Sequence, residues 1–327
     1  MTSRPTALCA AASALAVVAV LAQPAVATPR GAAPSARAIP GTSCPAFPAD
    51  NWWHADVSRL SLHPRSGQWM SHMSPSRRLH PDFGPSYGAQ PTPYGIPVTV
   101  VAGTHAKVRP SFTYAGESDR TGYPLGSDTR IEGGSDRHAI VVDRDTCRLY
   151  ETWDTQHASS GWTAGSGAVW SLRSDALRPN GWTSADAAGL PILPGLLRYD
   201  EVKAGAVDHA IRFTTTTTDR SFLWPARHQA GSVSNAGYPP MGARFRLKAS
   251  YRPAAGLRAD TRVVLAAMQR FGLVLADNGS PWFFQGTADN AWPSGLLDQL
   301  KTVPASAFEA VDTSSLRISA DSGQARH

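Results

Sequence analysis

From residue 96 onward the apolar residues of this chain come in short β-branched or aromatic runs, each closed by turn-forming residues. Runs of this kind suit strands, because helices need apolar positions that recur every three or four residues over a longer span. They fall at 96–101, 108–114, 138–143, 148–153, 168–172, 208–216, 243–249, 272–276 and 282–285. One stretch reads differently. Val263, Val264, Ala267, Met268 and Phe271 repeat at helical spacing, Asp260 stands where an N-cap belongs, and Gly272 supplies the stop. A shorter helix is expected over 294–301, with Leu296, Leu297 and Leu300 facing inward. Many short strands and late helices predict a mostly β, mainly antiparallel single domain. The expected architecture is a sandwich or jelly roll with one or two C-terminal helices on its flank.

The domain is expected over residues 44–316. Ahead of it, residues 1–27 read as an export signal. Arg4 gives the positive start, an Ala/Val/Leu run over 7–21 gives the apolar core, and Ala25-Val26-Ala27 fits small-residue cleavage. Residues 28–43 read as a disordered linker and 317–327 as a flexible tail. Residues 44–97 are rich in proline and aromatics without periodicity, so an ordered loop wrapping the core is expected. A hydrophobic share of 42% with 17% charged residues excludes a disordered chain, and three cysteines exclude a disulfide miniprotein. Cys9 leaves with the signal. Cys44 and Cys147 then remain in an exported chain, where one disulfide is the expectation. Closing a loop of roughly 100 residues contributes up to about 4–5 kcal/mol in the chain-entropy model. The net charge is +6, but the arginines are scattered among aspartates, so no basic stripe for nucleic acid forms. A secreted monomer with no membrane contact after signal removal is expected.

Chemistry concentrates in the hairpin 136–154. If Asp143 opposes Arg148, a favourable charge pairing, His138 lies opposite Trp153 and Ile140 opposite Glu151. Strand alternation then puts His138, Glu151 and Trp153 on one face with Val142 and Leu149, and Cys147 in the turn. An acid and an imidazole on an apolar face must be paired, either as a structural hydrogen bond or as an acid/base pair in a cleft. Asp186, flanked by alanines and followed by the proline-fixed loop Leu190-Pro191-Ile192-Leu193-Pro194, is a second expected carboxylate; alternatively it caps a helical turn. In the strand 208–213, His209 and Arg212 face opposite ways, and His228 follows an aromatic turn. His138, His209 and His228 lack metal-motif spacing, so neither metal nor other cofactor is expected. Gly165-Ser166-Gly167 lacks the frame of a nucleophile elbow, and Gly133-Gly134 precedes no phosphate-binding helix. Asp277-Asn278-Gly279-Ser280 reads as a hairpin turn. Ten tryptophans exceed what a core of this size needs, and flat indole faces suit sugar rings.

Three strings, Ile131-Glu132-Gly133-Gly134-Ser135-Asp136-Arg137-His138, the long Leu177 to Gly195 segment and Ala276-Asp277-Asn278-Gly279-Ser280, carry a resemblance over most of the mature chain. It resembles a widespread family of secreted microbial proteins. The resemblance implies export and a single folded unit, and implies no activity. On the residues, the expected function is a secreted carbohydrate-active enzyme, a polysaccharide hydrolase or lyase, in an aromatic-lined cleft. Catalysis is expected from His138, Glu151, Asp186 and His209, and substrate contact from Trp153, Trp182, Arg212 and His228. The expected partner is a polysaccharide or cell-wall glycan. A non-catalytic glycan-binding protein and a structural exported protein are the alternatives.

Overall fold

The computed structural model of the protein describes residues 1–2, 37–87 and 92–326. The chain divides into two units, 1–33 and 34–327. The expected signal, beyond its first two residues, and the linker as far as residue 36 lie outside the described residues. The second unit carries the β-rich character expected, with 28% strand against 16% helix. Among the described residues no helix is long and apolar enough to cross a membrane.

The larger sheets are mixed and not antiparallel throughout. The six-stranded sheet runs in the order His80–Asp82, Phe283–Gln285, Ile211–Thr215, Leu273–Asn278, Arg244–Leu247, Phe308–Val311. Its first two strands pair in parallel, as do Ile211–Thr215 and Leu273–Asn278. The four-stranded sheet runs Ser166–Ser171, Arg148–Trp153, Ala139–Asp143, Val98–Val101, and its last pair is parallel. Parallel neighbours need a crossover of about a dozen residues or more. The connections from Val101 to Ala139 and from Thr215 to Leu273 supply one in each sheet. Apolar runs in a sequence do not reveal strand direction, so this departure from the antiparallel expectation has no local signal. The expected helices form at Ala259–Arg270 and Ser294–Leu300. Asp260 is not the N-cap; Arg258 holds that place, and Asp260 pairs with it from the first turn. Val264, Leu265 and Met268 enter the same apolar cluster as Phe245 and Leu273.

The hairpin has the register expected of it: Asp143 opposes Arg148 and Ile140 opposes Glu151. Ile140, Val142 and Leu149 enter one apolar cluster, while Val141 and Tyr150 enter another on the opposite face. The charge match that suggested the register is not what closes the turn. Asp143 Oδ1 instead accepts the N–H groups of Asp145 and Thr146, at 3.0 and 3.1 Å. Cys147 ends the turn in a left-handed conformation, φ +51°, and forms the expected disulfide with Cys44 across a separation of 103 residues.

Within 44–87, Trp52, Trp53, Trp69 and Phe83 are buried in the main cluster, and in place of the expected loop the segment carries the helix Ser66–His72 and the strands His80–Asp82 and Gly84–Tyr87. Side chains of one strand hold this segment where periodicity cannot. Arg244 Nε donates to the Phe271 carbonyl, and its Nη groups donate to those of Trp52 and Ala55. Two residues on, Arg246 Nη1 donates to the carbonyls of Val57, Ser58 and Leu60. Burial pushes Arg244 down to about 9, which leaves it charged at neutral pH. The C-terminal stretch is not a free tail. Trp52 N donates to the Gly323 carbonyl, Trp224 Nε1 to that of Ser322, and Arg227 pairs with Asp321 at 2.8 Å. Replacing both Cys44 and Cys147 by alanine is expected to lower the unfolding free energy by about 2–5 kcal/mol. Denaturant unfolding reads this, and an unchanged midpoint contradicts it.

Candidate functional site

The site begins with a fault in a parallel strand pair. Ile211, Arg212 and Phe213 match Leu273, Val274 and Leu275, after which the register shifts so that Thr214 meets Asp277. The loop after Trp182 is fastened to the same strand end, because Ala188 N donates to the Ala276 carbonyl at 2.9 Å. Ser184 shapes that loop: its Oγ accepts Asp186 N at 2.9 Å and donates to the Leu190 carbonyl at 2.6 Å. Gly189 is needed where it stands, with φ +67° and any Cβ only 2.5 Å from the Trp182 carbonyl oxygen. These constraints bring Asp186 onto Arg212. Arg212 Nη2 lies 2.9 Å from Asp186 Oδ1, and Nε lies 3.3 Å from Oδ2. The same Nη2 stands 3.8 Å from Asp277 Oδ2.

Above this group opens a pocket of about 340 Å³, lined among others by Tyr114, Glu117, Trp153, Asp186, His228 and Asp277. Tyr114 and Trp153 form an aromatic wall with ring centroids 6.3 Å apart. The indole rests directly on Gly165, where any Cβ lies 2.1 Å from the ring. His228 Nδ1 is 2.8 Å from the Ala187 carbonyl and therefore carries a proton, with Nε2 facing Glu117 Oε2 at 3.8 Å. Glu117 also accepts Thr183 N at 3.0 Å, which ties the rim to the Asp186 loop.

The electrostatics separate the two aspartates. Burial pushes Asp277 up to about 7, the charge of Asp186 adds to the rise, and Arg212 and His138 oppose it. Burial also raises Asp186, against the pull of Arg212. The pair titrates as a unit, and the two-point contact with Arg212 makes Asp186 the more acidic member. Asp277, whose side chain is 30% exposed, is therefore the member that takes up a proton more readily. Close by, His138 Nδ1 donates to Glu132 Oε2 at 2.5 Å, while its buried Nε2 has no hydrogen-bond partner. Burial alone lowers His138, but the charge and hydrogen bond of Glu132 outweigh it and the imidazolium is favoured. Glu132 is correspondingly held below the usual carboxylate range in spite of its burial.

The residues singled out in the sequence divide into several places. Asp186, Trp153 and His228 line the pocket, and Arg212 lies beneath it. His138 shares a strand face with Glu151, but its partner is Glu132. Glu151 is fully buried, and its oxygens accept the N–H groups of Ile192 and Leu193 and the Trp170 indole. Burial, with Asp186 adding, pushes Glu151 up to about 7. His209 belongs to another buried group, 3.0 Å from Glu201. Trp182 lies under the Arg178 guanidinium at 5.5 Å and is not part of the pocket wall. The three histidines thus face three different glutamates, and among the described residues no cluster of three or more histidine, cysteine or acidic side chains fits a metal ion.

Asp277, Glu132 and Glu117 are the functional candidates that sequence reasoning passed over. Asn278-Gly279 made Asp277 look like part of a turn, when it ends a strand. Glu132, Asp186 and Asp277 come from three separate stretches of the chain, 131–138, 177–195 and 276–280, which the fold brings within electrostatic reach of Arg212. No family model, curated protein or solved structure matches the chain. The chemistry of the pocket therefore has to be read from its own geometry.

Glu132→Gln is expected to remove about 3–5 kcal/mol of stability by stranding a buried imidazolium. The pair stabilises only where both members are charged, above the ordinary glutamate pKa and below the raised pKa of His138. The loss is therefore expected in full at pH 5.5 and to shrink as the pH rises through the folded-state pKa of His138. Unfolding curves at pH 5.5 and pH 9 with equal losses contradict the pairing.

Proposed function

We propose that the protein is a secreted carbohydrate-active enzyme, a polysaccharide hydrolase or lyase, with hydrolysis the better-supported reaction. The observation that carries this reading is the pair of carboxyl groups on one buried guanidinium, one of them raised to about 7, beside an aromatic-walled pocket. The pocket lies within the range of small-ligand clefts, about 300–1,000 Å³. Tyr114 and Trp153 offer ring faces to a sugar, while Asp186 and Asp277 offer a base and an acid. The residues 1–27 and the Cys44–Cys147 bridge support export into an oxidising compartment.

In this reading Asp277 takes the acid role that Glu151 cannot reach. It protonates the glycosidic oxygen as the bond to the anomeric carbon breaks, and Asp186, whose side chain is covered and held at both oxygens by Arg212, attacks that carbon from the other side once it turns from Arg212 into the pocket. Their two distances to Arg212 Nη2 limit the nearest oxygens to a separation of under about 7 Å. Retaining glycosidases space their carboxyl groups by about 5–5.5 Å and inverting ones by about 6.5–9.5 Å. A separation under about 7 Å takes in the retaining spacing and only the lower edge of the inverting one; in the retaining course Asp277 afterwards takes a proton from the water that releases the sugar from Asp186.

A panel of polysaccharides, scored for product release and for retention on insoluble substrate, tests the reading. Release identifies an enzyme, retention alone a binding protein, and neither a structural role. Asp277→Asn is expected to cut release by about 100-fold or more while sparing retention. Wild-type activity is expected to decline as the pH rises through about 7, where Asp277 loses its proton. The folded state binds this proton more tightly than the unfolded chain between about pH 4 and 7, so the ionised carboxyl costs stability above that window. Asp277→Asn is therefore expected to melt higher than wild type at pH 8. Unchanged product release in Asp277→Asn contradicts the assignment.

A further inference from the structure

A second concavity is bordered by Ser280 and Pro281, which follow Asp277 in the chain. It is a groove of about 560 Å³ lined by residues 76–80, Ser280, Pro281, Phe283 and Lys301. Arg77, Arg78 and Lys301 bring three positive charges to it, and no carboxylate lines it among the described residues. The arginines make no ion pair with any described residue; Arg78 Nη1 donates to the Thr302 carbonyl at 3.1 Å. Lys301 meets Asp298 at 3.4 Å, an exposed pair of little strength. The groove also has a flat aromatic element, because His80 stacks on Phe283 with centroids 3.9 Å apart and planes 14° from parallel. Burial lowers His80, with Lys301 adding to the effect against Asp82, so the imidazole is neutral at neutral pH.

The basic segment is held by its backbone and does not hang from the surface. Ala305 N donates to the Arg77 carbonyl, Leu79 N to that of Val303, and His80 N to that of Trp282. The charges are thus presented from a fixed frame, which lowers the ordering cost of binding. Two arginines without an ion pair among the described residues and a weakly paired lysine, beside a stacked ring pair, match a ligand that carries both negative charge and a ring face. Ser76 and Ser280 add hydroxyl groups for hydrogen bonding.

We propose that this groove binds an acidic glycan, a chain of sugar rings bearing carboxylates, at a site separate from the carboxylate pocket. Three guanidinium and ammonium groups pair with the carboxylates, and the His80–Phe283 stack packs against a sugar face. The proposal does not rest on the catalytic reading of Asp186 and Asp277.

The test is equilibrium binding of polygalacturonate, in the Asp277→Asn background so that turnover cannot erode the polymer. Neutral galactan and duplex DNA serve as comparison ligands. Polygalacturonate is expected to bind with strong salt dependence, galactan to bind much more weakly, and DNA to compete poorly. Arg77→Ala/Arg78→Ala/Lys301→Ala is expected to weaken polygalacturonate binding by about tenfold or more. All three side chains are exposed, and an unchanged melting temperature confirms that the variant is folded. Lys301→Glu alone is expected to shift binding in the same direction. Equal binding by the triple variant, or DNA competing as well as polygalacturonate, overturns the proposal. If binding follows the expectation and no polysaccharide releases products, the groove stands and the enzymatic reading falls. If products are released and the triple variant binds as well as its parent, the groove falls and the enzymatic reading stands.

Discussion

A guanidinium only 2% exposed has to find its partners inside the protein; buried Arg244 takes carbonyls, whereas Arg212 takes carboxylates and so draws the pocket together. Asp186 meets it at two points and Asp277 stands one step further off. The Glu132–His138 pair lies close enough for its charges to be felt at Arg212 and at both aspartates. Counting charges explains where the proton goes. Arg212 and His138 are two cations, while Asp186, Glu132 and Asp277 are three acids. One protonated acid makes this set neutral, and Asp277 is the member hydrogen-bonded to neither cation. The acid form that the proposed hydrolysis requires thus follows from balancing a buried arginine.

The frame that holds this group is assembled from distant parts of the chain. Glu151 does not reach the pocket, but it receives the N–H groups of Ile192 and Leu193 and so anchors the far end of the Asp186 loop. The near end is anchored by Ser166, whose Oγ donates to the Ser184 carbonyl at 2.6 Å. Ser166 pairs with Trp153 across two antiparallel strands, which links the aromatic wall to the carboxylate loop. A buried carboxyl used as a backbone acceptor is a satisfied group, and its cost is offset by fixing the loop. The rigid hairpin is itself tied through Cys147 to Cys44, ahead of the wrapping segment.

Much of the fold was legible because its signals are local. The charge match of Asp143 with Arg148 across a short turn gives the register, and strand alternation then gives the shared face of His138, Glu151 and Trp153. Helical spacing marks Ala259–Arg270 within a residue or two. What escaped depends on tertiary contact. The strand Phe308–Val311 and the short helix Ser66–His72 are defined by their neighbours, and the parallel pairings depend on crossovers no short window contains. The site shows the same division. Asp186 and Arg212 could be suspected singly, but their pairing spans 26 residues and two elements. Asp277 looked like a turn residue because Asn278-Gly279 follows it, and only the register shift at Phe213 and Thr214 carries it to the pocket. Six of the ten tryptophans are buried, so the aromatic excess narrows to Trp153, Trp162, Trp182 and Trp224.

The pocket's chemistry depends on a proton that Asp277 holds at neutral pH beside an Asp186 clamped to Arg212. Carboxyl-carbon NMR of protein labelled at aspartate measures this directly across a pH titration. One aspartate resonance is expected to have its main transition near about 7 and to be absent from Asp277→Asn, with a smaller coupled step at Asp186. A spectrum in which every aspartate titrates in the ordinary range, below about pH 5, contradicts the protonated Asp277.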